Sequence, residues 1–477
     1  MITEKIGATE AQRHGDSPGR ALRIQEGISV LAGRAFVVIQ KESLISSVSL
    51  SLCGLTSFLL LIVSLLLVPL PGRAADAGYN YPIPGSYEAT ILGTPAKLMP
   101  ELPVQIPTRQ LVLKVFPDRK SPPVFFYDEG LRCTFAYQSQ KAPLVFLVAG
   151  AGAGDRATKL MTMMKAFYQA GFHVITLPSP THANFIISAS QSRIPGDLTE
   201  DSADLYRAME TAWKQVAVDI EVSTFNLCGY SLGGIQSAFV AKLDEERRVF
   251  NFRKVLMINP PVNLYRSATR IEDLLKQIPG GAKKQGVFFN RMLSKFSEFY
   301  RYGNNIAIND DFLYSIYTER LFSREETAGL IGLTYRINLA GLIFASDVMT
   351  NSGYVVPKNK VLKHTDSLSD YFLVSSHLSF YDYFNECLYP YIQKQRPGLS
   401  KQAFIESLSL KSIEGYLEKS PAKFGVMANE NDFVVNGAEL DYLRRLFGER
   451  ARIYPRGGHL GNLEHRENLA YMVSFFK

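Results

Sequence analysis

Cysteine is scarce in this chain: four residues, Cys53, Cys133, Cys228 and Cys387, in 477. They form no C-x-x-C pair and no Cys/His cluster with zinc spacing, so neither a structural zinc site nor a disulfide scaffold is expected. Charge is also modest, at 20% of residues. Lys and Arg exceed Asp and Glu by 52 to 45, yet no basic run of five or more occurs. That pattern reads as a solvated surface with mild anion attraction and excludes a nucleic-acid footprint. No nucleic-acid-binding module, internal repeat or low-complexity tract is visible.

What the chain does have is apolar material. Hydrophobic residues make up 46% of it, enough for a large core. One block is unusual: no charge occurs from Ser43 to Gly72, and Leu55 to Leu70 is almost wholly apolar. Arg34 and Lys41 precede it, and Ala74-Ala75-Asp76-Ala77 follows. A basic flank, an apolar stretch and an A-x-A site form the order of a secretory signal, with cleavage after Ala77 or Ala74. The same stretch is long enough to cross a bilayer, so an uncleaved anchor is the rival reading. Either way the rest of the chain is expected outside the cytoplasm, periplasmic or secreted, with membrane association only if 43–72 is retained.

Residues 78–142 are Pro-rich, with short β-patterned runs at Leu111–Phe116 and Arg132–Tyr137. Strand-like and helix-like segments then alternate: strands at 144–148, 173–177, 224–228 and 254–259, helices at 157–170, 198–218 and 233–243. This rhythm predicts a mostly parallel sheet with helices on both faces. From about 265 to 420 the segments are helical, amphipathic and crowded with Phe and Tyr. Sheet rhythm returns at 423–427 and 451–454, separated by a helix at 437–447. The division that follows is an N-terminal extension with the export segment (1–77), a first core part (78–264), a helical cap insertion (265–420) and a second core part (421–477).

The chemistry centres on Gly229-Tyr230-Ser231-Leu232-Gly233. A Ser lifted above a sheet on a strained strand-to-helix turn needs flanking glycines, because side chains there would clash. The five-residue pattern alone is a weak signal. Its setting, after an apolar strand and at the start of a helix, is what gives it weight. A Ser hydroxyl needs a base, and the base needs an orienting acid. His459, in Gly457-Gly458-His459-Leu460-Gly461, follows the last strand and is the expected base. His465 lies in a charged stretch and reads as surface. The acid is expected in Asn429-Glu430-Asn431-Asp432, with Asp432 favoured and Glu430 the alternative. The other customary place, after the 254–259 strand, reads Asn259-Pro260-Pro261 and offers no carboxylate. Two backbone N–H donors are needed for an oxyanion. Leu232 is one; the glycine loop Ala149–Gly154 supplies the other, Ala151 first and Gly152 next. That loop also looks like the start of a dinucleotide fingerprint, but no acidic residue ends the following strand, so no cofactor is expected.

With these residues in place, the chain resembles the α/β-hydrolase superfamily, and in particular exported bacterial members with a large helical cap. The resemblance covers about 140–264 and 421–477. It implies an α/β-hydrolase fold and a Ser231–Asp432–His459 triad acting on a small-molecule or lipid-like ester through an acyl-enzyme. Peptidase or thioesterase activity on the same fold stays open, as does a non-catalytic binding or scaffolding role in the cell envelope. One departure stands out: the His-Gly pair common before the oxyanion loop is here Ala149-Gly150.

Overall fold

The structure, a computed structural model, describes residues 78–281, 284, 286–288, 291 and 323–477. The 43–72 segment and the cleavage positions at Ala74 and Ala77 lie outside the described residues, as do Phe296, Phe299 and Tyr300 of the insertion.

Eight strands form one sheet: β1 (Arg109–Leu113), β2 (Leu131–Ala136), β3 (Ala142–Val148), β4 (His173–Leu177), β5 (Val222–Tyr230), β6 (Lys254–Ile258), β7 (Phe424–Asn429) and β8 (Ala451–Tyr454). Their order is β1-β2-β4-β3-β5-β6-β7-β8. β2 runs antiparallel to both β1 and β4, and every other neighbouring pair is parallel. This is the α/β-hydrolase fold. β3, β4 and β7 are buried along almost their whole length because both faces are covered, which is what parallel crossovers impose. One apolar core lies on each side of the sheet.

The crossover helices carry the expected start signals. Leu198–Val216 opens on Asp197, whose side chain accepts the Thr199 N–H, and places Glu200 and Asp201 in its positive first turn. Gly437–Phe447 opens on a reciprocal Asn436/Glu439 capping box. Three elements escape the period-2 reading of 78–142: a short helix, Ser86–Leu92, and the 3-10 turns Ala96–Leu98 and Pro123–Phe125.

Between β6 and β7 the described elements are helices. The longest, Arg324–Thr350, starts at a Ser323/Glu326 capping box. By length and composition it could cross a membrane, but here over half of its most apolar window is buried against protein. It packs on the Ala183–Ser188, Leu264–Asp273 and Ser369–His377 helices and reaches the Ser86–Leu92 helix. Arg336 on this helix pairs with Glu272, both buried, and Glu272 also accepts the Phe380 N–H at 3.3 Å. Three parts of the inserted chain are thereby tied over the sheet's carboxyl edge.

Cys133 and Cys228 are buried free thiols, and Cys387 is half-buried and free.

Candidate active site

β5 ends at Tyr230, and the helix Leu232–Arg247 begins two residues later. Ser231 between them has φ 53° and ψ −123°, a backbone conformation costing on the order of 1–3 kcal/mol for a side-chain-bearing residue. The glycines explain how so tight a turn closes. A Cβ at Gly229 would overlap the Gly233 carbonyl, and one at Gly233 would overlap the carbonyls of Val148 and Ala149. Gly150 is equally constrained, since a Cβ there would come within 2.8 Å of the Tyr230 ring and 3.2 Å of the Ser231 Cβ. The turn is pinned by the Ser231 N–H donating to the Ile258 carbonyl at 2.8 Å.

The structure brings Ser231, His459 and Asp432 together. His459 Nε2 lies 2.9 Å from Ser231 Oγ, and Nδ1 lies 2.9 and 3.2 Å from the two Asp432 oxygens. A carboxylate only accepts, so Nδ1 carries the proton and Nε2 is left to accept the Ser231 O–H. The Asp432 side chain is 1% exposed and that of His459 12% exposed. Such an arrangement can take a proton from a serine hydroxyl and hold the imidazolium that results.

Glu430, the alternative acid, points outward and pairs with Arg444. Only Asp432 faces the imidazole, and its remaining lone pairs are used. Oδ1 accepts the Val434 N–H at 2.9 Å, and Oδ2 accepts from Asn259 Nδ2 at 2.8 Å. Asn259 thus occupies the post-β6 position that lacks a carboxylate and supports the acid from there. The sequence marked that position only as one without an acid.

The two N–H candidates flank Ser231 across the cavity. Leu232 is the first helical residue, so its N–H has no acceptor within the helix. The Ala151 N–H likewise has no acceptor among the described residues. The alternative donor, Gly152, gives its N–H to Thr181 Oγ1 at 2.8 Å and is not free to serve. Ser179 Oγ in turn bonds Thr181 Oγ1 at 2.9 Å, which fixes the loop from beneath.

His465 differs from the sequence expectation. It is fully buried, not on the surface. It caps the helix Arg466–Phe476, accepting the Glu467 N–H, and its Nε2 meets Asn80 Oδ1 at 2.8 Å. Arg466 and Glu467 belong to the first turn of a helix whose cap faces inward, and Glu464 before it is buried and accepts the Thr162 hydroxyl. Burial holds its pKa below the usual histidine value.

The His459 loop is held by residues no local pattern marks. Gly457, Gly458 and Leu460 all have positive φ. The Gly458 N–H donates to Asn431 Oδ1 at 2.8 Å, and Asn429 Nδ2 donates to the Gly458 carbonyl at 2.7 Å. The Ser86–Leu92 helix lies directly against the loop. The His459 N–H donates to Thr90 Oγ1 at 2.8 Å, and Thr94 Oγ1 donates to the Gly461 carbonyl at 2.9 Å.

Above Ser231 is a cavity of roughly 100 Å³, walled by Ala151, Leu232 and residues of the inserted helices, Leu339, Leu342, Tyr383, Phe384 and Leu388 among them. Among the described residues, no charged side chain lines it. Burial raises the pKa of its Tyr265 and Tyr335 phenols, as a poorly solvated wall should. Among the aromatics of the insertion, Tyr383 and Phe384 line this cavity, whereas Phe288 packs near Gly329.

No protein-family model and no curated protein matches the chain. Among solved structures, a thermostable carboxyl esterase from Bacillus coagulans is 13% identical, covering 78% of this chain and 98% of its own, at a TM-score of 0.36. A thioesterase domain from the curacin biosynthetic pathway is 12% identical, covering 73% and 96%, at 0.31. The proline iminopeptidase of Mycobacterium smegmatis is 12% identical, covering 75% and 96%, at 0.33. The fold rests on strand order and the site on its own distances.

Proposed function

We propose that this chain is a serine hydrolase that cleaves carboxylic esters with an apolar acyl part. The observation that carries the reading is the Ser231–His459–Asp432 hydrogen-bond chain, 2.9 Å at each link, at the base of a cavity whose lining, among the described residues, is uncharged and mostly apolar.

Ser231 Oγ attacks the ester carbonyl carbon while His459 Nε2 takes its proton. The carbonyl electron pair moves to oxygen, and the N–H groups of Leu232 and Ala151 meet the oxyanion. Collapse breaks the bond to the alcohol, which leaves with the proton from His459, and an acyl-Ser231 ester remains. Water repeats the sequence: His459 takes its proton, the hydroxide adds to the acyl carbon, and the acid departs as the proton returns to Ser231. Asp432 stays ionised throughout, orienting the ring and balancing the imidazolium.

The uncharged lining favours this reading over an aminopeptidase, which must desolvate a substrate ammonium beside the reacting bond. A fluorophosphonate probe and p-nitrophenyl butyrate test the proposal together. Wild-type protein is expected to be labelled once and to hydrolyse the ester, and Ser231→Ala to do neither. Folded wild-type protein that resists labelling would point instead to a binding protein on this fold.

A further inference from the structure

Asn338 stands out among the residues around the cavity. It is carried by the Arg324–Thr350 helix of the insertion, and it shares the cavity wall with Ser231, Leu232 and Ala151. Its amide lies against the oxyanion loop. A Cβ built on Gly152 would stand 2.9 Å from Asn338 Cγ and 3.1 Å from Oδ1, so the carboxamide rests over the Gly152 Cα, one residue from the Ala151 N–H. Gly152 has φ +70°, and a side chain there would fill the space Asn338 occupies. Loop and helix are fitted to each other at this point.

Three other polar side chains of the wall are already engaged, while the Tyr265 and Tyr335 hydroxyls, like Asn338, have no hydrogen bond among the described residues. Thr181 accepts the Gly152 N–H, Ser267 Oγ donates to the Val434 carbonyl, and Tyr383 OH donates to the Pro195 carbonyl. Asn338 has no hydrogen-bond partner among the described residues. The half-buried carboxamide is therefore free to hydrogen-bond a group bound at this largely apolar wall. Its two ends are interchangeable by rotation, so the NH₂ can face the cavity.

We propose that Asn338 is a catalytic residue, the third hydrogen-bond donor to the oxyanion, supplied by the insertion and complementing the Leu232 and Ala151 N–H groups of the core. The inference rests on the serine-hydrolase reading. Its consequence is that the insertion completes the reaction centre besides shaping the acyl site.

The test compares Asn338→Ala and Asn338→Asp with wild type on p-nitrophenyl butyrate. Inhibition by 1,1,1-trifluoro-2-octanone, which adds Ser231 to give a hemiketal oxyanion, is read beside inhibition by 2-octanol, which forms none. For Asn338→Ala, kcat is expected to fall roughly ten- to a hundredfold with KM within about twofold. The trifluoroketone should weaken by the same factor and the alcohol not at all. Asn338→Asp keeps the shape but replaces the donor with a carboxylate, and should lose at least as much at an unchanged melting temperature. An unchanged kcat, or a change confined to KM and alcohol binding, would overturn the proposal. Wild type that no fluorophosphonate labels would instead remove the reading beneath it.

Discussion

Glu430 and Asp432 stand two residues apart, and backbone direction alone separates their roles. The Glu430 N–H bonds the Tyr454 carbonyl at 2.8 Å, as if extending β7, and its side chain leaves toward solvent and Arg444. At Asp432 the chain has turned, its N–H donating to the Asn429 carbonyl at 3.1 Å, and the carboxylate faces His459. Asp432→Asn should therefore lower kcat on p-nitrophenyl butyrate by on the order of 10³–10⁴, because an amide donating to Nδ1 selects the wrong tautomer. Glu430→Gln should leave kcat within about twofold and cost no more than about 1 kcal/mol of stability, as for any half-exposed ion pair. Equal losses in the two variants would contradict this division. Ser231, His459 and both carboxylates were legible because each sits beside a strand end with turn-forming neighbours. Asn259 was not, because an amide supporting an acid leaves no pattern of its own.

At the scale of elements, the short Ser86–Leu92 helix bears on the site more than its length suggests. Thr90 Oγ1 donates to the Ser86 carbonyl at 2.7 Å and accepts the His459 N–H, joining residues 369 apart in the chain. A Cβ at Gly458 would overlap the Ser86 carbonyl and one at Gly461 the Ala89 carbonyl, so helix and loop touch backbone to backbone. Thr90→Val deletes the acceptor at nearly constant volume. It should lower kcat about tenfold with KM little changed, the effect of one lost hydrogen bond on the aim of the base, and Thr90→Ser should restore it. A kcat equal to wild type in Thr90→Val, measured beside its melting temperature, would show that the loop holds its shape unaided. The strands and crossover helices were readable from periodicity, since burial on one or two faces writes itself into consecutive residues. The clamp was not, because its partners lie at opposite ends of the described chain and its contacts are with backbone atoms.

For the whole molecule, the site sits where the carboxyl ends of β3, β5, β7 and β8 converge, and a half-buried histidine links that edge to pH. His182 caps the helix Ala183–Ser188, accepting the Asn184 N–H on Nδ1 at 3.2 Å. Its Nε2 lies 3.4 Å from the Cβ position of Gly154, in the oxyanion loop. Desolvation lowers its pKa to about 4, with nearby Asp155 opposing and Arg132 reinforcing the shift. In the unfolded chain the same group titrates near 6.5. Between these values the unfolded chain binds the extra proton, so stability rises with pH across that window. The contribution is complete above about pH 6.5 and is lost as the pH falls toward 4, a swing of about 3 kcal/mol at most. Burial also lowers the pKa of His173 and His465, which adds stability loss of the same sign. Asn is a good N-cap that cannot take the proton. Thermal melts at pH 7.5 and 4.5 should therefore show a smaller loss for His182→Asn than for wild type. Parallel losses in the two proteins would assign the acid sensitivity to other groups.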